Sequence, residues 1–318
     1  MTHQVAVVIP CYRATRSVLE LLSHFGPEVT HIYIVDDACP EKSGELVKTK
    51  CADPRVKVII HEENQGVGGA VMTGYRQALL DHADVIVKVD GDGQMNPALI
   101  PQFIRPILCG LADYTKGNRF FSLNFLSSMP CLRIFGNAVL SFISKAACGY
   151  WNLMDPTNGY TAIHAKVLAM LPLDKLDKRY FFESDMLFRL NTIRAVIIEI
   201  PMPAVYGSEK SNLAISQVIR EFPAKYLVRF IKRIFYNYFL RDFNMCSLQL
   251  LCGLTLFLCG ACFGAYHWYL ALAQDIVTPI GTVMLAALPV ILGSQLLLSA
   301  ISFDTMNIPR EPLHPRIA

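Results

Sequence analysis

Val85-Ile86-Val87-Lys88-Val89-Asp90-Gly91-Asp92-Gly93-Gln94 is the stretch on which the reading of this chain turns. A β-branched apolar run ends abruptly in two carboxylates one residue apart. The run predicts a buried strand of a parallel sheet. Open α/β sheets bind ligands beyond the carboxyl ends of their strands, which is where Asp90 and Asp92 fall. Gly91 and Gly93 let the backbone turn and leave room for a bulky ligand. Alternate carboxylates on a turning chain suit a hard divalent cation held beside phosphates. The same residues also make an ordinary Asp/Gly turn, and the decapeptide alone does not choose.

Working outward, residues 5–9 form a short apolar run stopped by Pro10. Residues 32–35 form another, ending in Asp36-Asp37, and residues 56–60 a third. Helices are expected from a Ser17 cap to residue 25, over 44–50 and over 70–80. Strands alternating with helices predict a doubly wound, mostly parallel α/β sheet with right-handed crossovers. Beyond residue 96 the pattern loosens. A helix is expected over 97–108, a strand over 114–120 and a helix over 134–147. Further helices are expected over 165–171 and 183–190, and a final strand over 195–200.

The chain has 318 residues, 53% hydrophobic and 17% charged, with a mean hydropathy of +0.36. That is too apolar for an ordinary soluble enzyme and too charged for a pure membrane bundle. A soluble part plus membrane segments is the natural split. A net charge of +3 gives no argument for a nucleic-acid partner, and none is expected. The ten cysteines show no paired zinc spacing, and unpatterned thiols suit a reducing compartment. Cys259 and Cys262 sit inside an apolar run and read as small packing residues. The apolar run at 5–9 is too short for a signal peptide and reads as a first strand.

The C-terminal third differs in kind. Residues 217–241 hold Arg220, Lys225, Arg229, Lys232, Arg233 and Arg241 against one acid, Glu221. Phe222, Tyr226, Phe230, Ile234 and other apolar residues interleave with them at helical spacing. This is the pattern of a basic amphipathic helix on an anionic membrane surface; a solvated helix packed on the soluble domain is the plainer reading. Residues 246–273 and 276–303 carry no Asp, Glu, Lys or Arg. Each is long enough to cross a ~30 Å hydrocarbon core. Tyr266, Trp268 and Tyr269 lie near the far end, where interfacial aromatics belong. Arg233 and Arg241 precede the hairpin, and Arg310 and Arg316 follow it. The positive-inside rule then puts the soluble domain and both termini in the cytoplasm. The expected organisation is an α/β domain over 1–212, juxtamembrane helices over 213–243, a two-helix transmembrane hairpin over 244–304 and a tail over 305–318.

Several polar residues carry two readings. Asp36 and Asp37 can hydrogen-bond a nucleotide or cap the following turn. Gly66-Val67-Gly68-Gly69 can touch phosphate through a helix N-terminus or simply make a tight turn, because its spacing is not the dinucleotide fingerprint. Lys116, Arg119 and Arg133 can neutralise phosphates or sit solvated. Glu183, Ser184 and Asp185 read first as N-capping residues and a complement to the dipole at a helix start. Residues 206–211 read as a linker or a gating loop, and no histidine has metal-ligand spacing.

Six stretches in order resemble a known group: Ile9-Pro10-Cys11-Tyr12, Val35-Asp36-Asp37, Asn64-Gln65-Gly66-Val67-Gly68, Asp90-Gly91-Asp92-Gly93-Gln94, Gly117-Asn118-Arg119-Phe120 and Tyr180-Phe181-Phe182-Glu183-Ser184-Asp185. The chain resembles the family 2 glycosyltransferases of the polyprenyl-phosphate branch, which includes bactoprenol glucosyltransferases and dolichyl-phosphate mannose synthases. The resemblance covers roughly residues 4–215. It implies a GT-A fold using a nucleotide-diphosphate sugar and Mg²⁺ or Mn²⁺. Asp90, Asp92 and Gln94 would be the metal site. Pro10, Tyr12, Gly66 and Gly91 would line the donor site, and Asp36 or Asp37 would contact the base. Arg119 and Arg133 would grip the lipid phosphate and the diphosphate. Asp185, with Glu183 as competitor, would be the acceptor-side carboxylate. Lys210 and Ser211 fall at a basic loop near the diphosphate. The partners implied are the donor, polyprenyl phosphate, the bilayer and a homo-oligomer, a tetramer by analogy. The resemblance implies inverting transfer of one sugar, with UDP-glucose favoured over GDP-mannose. A non-catalytic sugar-nucleotide binder is the remaining alternative. No QxxRW motif occurs, which argues against processive polymerisation.

Overall fold

The computed structural model describes residues 3–121, 131–203 and 215–317, without the side chains at 131–134, 137 and 215–219. These residues form two compact units, Met1–Phe230 with Pro309–Ala318, and Ile231–Ile308.

The first unit is built on β1 (Val5–Cys11), β2 (His31–Asp36), β3 (Val56–Ile60), β4 (Val85–Lys88), β5 (Tyr114–Asn118), β6 (Thr161–His164) and β7 (Ile197–Pro201). Their order in one sheet is β3-β2-β1-β4-β6-β5-β7. Strands β1 to β4 pair in parallel, with crossovers through α1 (Val18–Ser23), α2 (Ser43–Lys50) and α3 (Val67–Leu80). Helices cover both faces of the central strands, so their apolar runs need no alternation. Val5 to Val8 and Val85 to Val87 are at most 2% exposed, and burial of each Val or Ile contributes roughly 1.5–3 kcal/mol. The GT-A, Rossmann-like sheet expected from the sequence is present, with one strand that the sequence did not announce. β6 runs antiparallel to β4 and β5. It is only Thr-Ala-Ile-His, directly after a turn-rich loop, and its partners are far away in sequence.

Ser17 precedes α1, but its hydroxyl makes no cap bond. It donates instead to the carbonyl of Gly91 at 2.6 Å, tying the first helix to the loop after β4. The remaining helices of this unit are α4 (Ile100–Leu108), α5 (Cys131–Cys148), α6 (Ala165–Ala169) and α7 (Phe182–Thr192), together with most of α8 (Ile215–Phe235). α5, α7 and α8 share a small core of Ala147, Phe181 and Tyr226, with Leu140 and Phe222 against it.

The C-terminal segment docks back on this unit. Asp113 is fully buried and accepts the N–H groups of Leu313 at 2.8 Å and His314 at 2.9 Å. His314 Nδ1 lies 2.9 Å from Asp113 Oδ1, and its ring stacks on His164 at 4.2 Å.

The second unit contains α9 (Met245–Gln274) and α10 (Ile280–Met306). At ~1.5 Å per residue both exceed a ~30 Å hydrocarbon core. Only 22% and 11% of their most apolar windows are buried, unlike core helices of a soluble domain. The two helices approach closely at glycines: a Cβ on Gly253 would lie 3.1 Å from the Gly293 carbonyl, as small-residue helix packing in membranes requires. α9 starts with a capping box between Asn244 and Ser247. Near the end of α10, Asp304 takes two hydrogen bonds from Arg233, at 2.5 and 2.9 Å, and one from Tyr238 at 2.6 Å. A buried carboxylate needs such complete pairing.

Candidate active site

Strand order reverses between β1 and β4, and such switch points open a crevice at the carboxyl ends. A cavity of about 330 Å³ lies there. Its walls are the Pro10–Ala14 loop after β1, Asp37 after β2, the entry to α3 from Asn64 to Ala70, the Asp90-Gly91-Asp92 turn after β4, and Arg179-Tyr180 ahead of α7. Gly91 is where two of these walls meet: a Cβ there would sit 3.2 Å from both Cys11 Sγ and the Pro10 carbonyl. Burial pushes the Cys11 thiol up, and Asp36, Cys39 and Asp90 add to this, so it stays protonated.

Of the residues proposed from sequence, Pro10, Tyr12, Asp37, Gly66, Asp90, Gly91 and Asp92 share this cavity. Asp36 does not. Its carboxylate accepts the N–H groups of Cys39 at 2.7 Å and Gly44 at 2.5 Å, so it caps the start of α2. Asp37 reaches the cavity but is heavily used. It accepts from Gln65 N at 2.8 Å and Gly66 N at 2.7 Å, with His61 Nδ1 at 2.8 Å. Asp37 thus fixes the glycine-rich entry to α3. The glycines themselves answer to another neighbour. Gly66 has φ +85°, and a Cβ on it would lie 2.5 Å from the Lys178 carbonyl. The backbone of 177–179 leans on the helix start, which accounts for Gly66 without a phosphate.

Glu183 and Asp185 face different surroundings. Glu183 lies 3.1 Å from Lys88 Nζ, which also pairs with Asp90 at 2.7 Å. Asp185 is fully buried and is spent on Arg229 at 2.6 Å, Arg189 at 3.4 Å and the N–H of Asp177 at 3.0 Å. Lys225 joins the cluster through Asp177 at 2.6 Å. This network holds the 177–180 segment, and hence Arg179 and Tyr180, against the cavity.

Arg119 is not among the lining residues. Its guanidinium lies bidentate on buried Asp155, at 2.7 and 2.9 Å. The 154–155 segment is in turn pinned by Glu199, which accepts Met154 N at 2.7 Å and Asp155 N at 2.8 Å. Lys116 is fully buried and donates to the Asn158 carbonyl. Burial lowers it to about 8 against the opposing pull of Glu183 and Asp155. Gln94 donates its backbone N–H to Asp92 at 3.0 Å, and its side chain does not line the cavity. Arg133 lies in α5 with its side chain outside the described residues, and so do Lys210 and Ser211.

Three wall or support residues escaped sequence reasoning: Lys88, Arg13 and Arg179. Lys88 had a visible signal, since a lysine inside an apolar strand requires a partner. Arg13 and Arg179 had none; only the fold brings both to the cavity.

The donor set at the turn suits a hard cation. Asp90 and Asp92 offer carboxylate oxygens, and no third acid, His or Cys completes a cage among the described residues. Mg²⁺ and Mn²⁺ accept such sites when phosphates and water fill the remaining positions.

Residues 6–171 match the model of Glycosyl transferase family 2. The undecaprenyl-phosphate mannosyltransferase of Micrococcus luteus is 31% identical over 206 residues, covering 64% of this chain and 84% of that protein. The UDP-N-acetylglucosamine–dolichyl-phosphate N-acetylglucosaminyltransferase of Methanococcus voltae is 28% identical, covering 63% and 85%. Glucosyl-3-phosphoglycerate synthase of Mycobacterium tuberculosis, solved with Mg²⁺ and UDP, superposes with a TM-score of 0.52 at 14% identity, covering 73% and 79%.

Proposed function

Because the chain belongs to glycosyl transferase family 2, we propose that it transfers one sugar from a nucleotide-diphosphate sugar to polyprenyl phosphate at a membrane surface. The observation that carries this reading is the conjunction of two features. An Asp90/Asp92 pair lines a switch-point cavity, and the same chain carries two helices of membrane-spanning length and hydropathy. The names of the polyprenyl- and dolichyl-phosphate transferases among its relatives support the acceptor class.

In this mechanism the acceptor phosphate is already anionic near neutral pH, so no strong base is required. Its oxygen forms the new bond to the anomeric carbon as the bond to the diphosphate breaks, and the electron pair leaves on the diphosphate. In-line attack inverts that carbon. Catalysis then rests on positioning two anions and on neutralising the leaving group. Asp90 and Asp92 would hold a divalent metal, which would supply Lewis acidity and charge. Arg13 and Arg179, which both line the cavity, would meet the diphosphate oxygens. The family resemblance gives Arg119 and Arg133 a grip on the lipid phosphate and the diphosphate, which for Arg119 would require release from Asp155. The donor's identity is separate. The relatives' names include mannosyltransferases and a UDP-N-acetylglucosamine-using transferase, so UDP-glucose, suggested by the chain's layout, and GDP-mannose are the two donors to compare.

Two further features support a membrane acceptor. α5 exposes Phe135, Val139, Phe142 and Ile143, which recur at helical spacing and form an apolar face. Both ends of the apolar hairpin are covalently joined to the first unit, so two crossings leave both ends on one side. The flanking arginines favour the cytoplasm for that side.

The test incubates full-length protein with Mg²⁺ or Mn²⁺, polyprenyl phosphate and labelled UDP-glucose, UDP-N-acetylglucosamine or GDP-mannose. One donor should give a glycolipid bearing a single sugar. Polymer, free sugar alone, or nucleotide binding without turnover would each refute the reading.

A further inference from the structure

Lys88 is a buried charge beside the cavity, with its side chain 1% exposed. It lies at the end of β4, fixed on both sides by pairing with Val8 of β1 and Thr161 of β6. Its ammonium has three acceptors: Asp90 Oδ1 at 2.7 Å, Glu183 Oε1 at 3.1 Å and the Gly159 carbonyl at 3.2 Å. Three N–H donors meet three oxygens, so the group is fully satisfied. Gly159 also leaves the space. A Cβ there would lie 2.6 Å from Asp90 Oδ2 and 2.7 Å from Lys88 Nζ. Two carboxylates, Asp90 and Glu183, therefore share one buried ammonium, and the first of them belongs with Asp92 to the turn that lines the cavity.

We propose that Lys88 is a positioning residue that makes metal binding conditional on the donor: it ties up Asp90 Oδ1 and withholds Glu183 from the metal, so that the ion is held firmly only with the donor's diphosphate. This rests on the glycosyltransferase reading above. The physical argument is one of charge and ligand count. With Glu183 on Lys88, the cavity offers a cation two carboxylates, each already accepting a hydrogen bond, and the fixed ammonium repels the ion. A nucleoside diphosphate supplies the missing oxygens and negative charge. Without Lys88, Asp90, Asp92 and Glu183 would make a three-carboxylate site, which binds Mg²⁺ or Mn²⁺ unaided. The wild-type arrangement lets the metal arrive and leave with the nucleotide.

The experiment titrates Mn²⁺ into full-length protein by electron paramagnetic resonance, with and without UDP or GDP, whichever matches the accepted donor. Wild type should bind Mn²⁺ weakly alone and much more tightly with the diphosphate. Lys88→Met should tighten nucleotide-free binding by at least about tenfold, because even in water a unit positive charge about 5 Å from a divalent ion opposes it by that much. Binding with the diphosphate should change little, so the coupling ratio shrinks. Lys88→Met/Glu183→Gln should return nucleotide-free affinity toward wild type. Glu183→Gln alone leaves Lys88 paired to Asp90 and serves should the Met variant not fold; it should weaken nucleotide-free affinity by less than about tenfold, a charge about 8 Å from the ion having been lost but no ligand. The proposal is overturned if folded Lys88→Met keeps the wild-type coupling ratio or binds Mn²⁺ more weakly. It is equally overturned if Glu183→Gln alone weakens Mn²⁺ by about a hundredfold, which would make Glu183 a ligand. If wild type binds no Mn²⁺ even with diphosphate and transfers no sugar, the glycosyltransferase reading falls first.

Discussion

Replacing Asp185 by Asn separates the two acids of α7 by consequence. Asp185 is fully buried, and its oxygens hold Arg229, Arg189 and the Asp177 N–H. The amide keeps the shape and one acceptor, but the ion pairs go. Removing one partner of a fully buried pair costs roughly 3–5 kcal/mol. Arg229 and Arg189 are 18% and 12% exposed at their side chains, so water recovers part of this, and about 3 kcal/mol is expected. For a unit of this size 1 kcal/mol shifts the melting temperature by about 2–4 °C, so the variant should melt about 6–12 °C lower. Thermal unfolding of purified Asp185→Asn and Glu183→Gln in the same detergent measures it, with transfer assayed well below both melting points. Asp185→Asn should keep kcat within about threefold, because Asp185 acts through the 177–180 segment and not on reacting atoms. An unshifted melting temperature together with abolished transfer would refute this reasoning and place Asp185 in the chemistry.

Other outcomes follow from the same contacts. Gly66→Ala forces a Cβ against the Lys178 carbonyl in a left-handed backbone; it should cost about 1–3 kcal/mol and raise the KM for the donor, and a wild-type melt would contradict this. The docked C-terminal segment should loosen in acid. His164 is lowered to about 4 by burial and then by His314, with Lys166 in the same direction and Asp84 and Asp113 opposing. Its folded value lies below the ordinary 6.5, so the unfolded chain binds more protons between the two. The stabilisation is complete above about 6.5 and is lost as pH falls toward 4. Hydrogen exchange at Leu313 and His314, corrected for intrinsic rate, should lose protection over that window; constant protection from pH 7.5 to 4.5 would remove His164 from the account.

Much of the fold was legible because its signals are local. Buried parallel strands are continuous apolar runs, and the hairpin is two long stretches without charge, so β1, β2, β4, α9 and α10 stood out. β6 did not, because a four-residue strand after a turn has no periodicity and depends on pairing with β4 and β5. The donor-side half of the site was legible for a related reason: carboxylates at strand ends declare a ligand edge. Which carboxylate does what was not. Asp36 and Asp37 are adjacent in sequence, yet one caps α2 and the other pins the entry to α3. Glu183 and Asp185 are two residues apart on α7, and their partners come from β4 and α8. Asp113 and its docked His314 are about two hundred residues apart, beyond any local pattern. Such partners are chosen by the sheet, after the sequence pattern has done its work.

The central claim is that Asp90 and Asp92 organise sugar transfer to a membrane-borne phosphate. Its most direct test compares wild type and Asp92→Ala in transfer of labelled sugar to polyprenyl phosphate with Mn²⁺ present, after equal membrane insertion and melting have been verified. Wild type should yield a one-sugar glycolipid, and Asp92→Ala should fall by about a thousandfold or more, as loss of a central electrostatic element predicts. Glycolipid formed by Asp92→Ala at the wild-type rate would contradict the account.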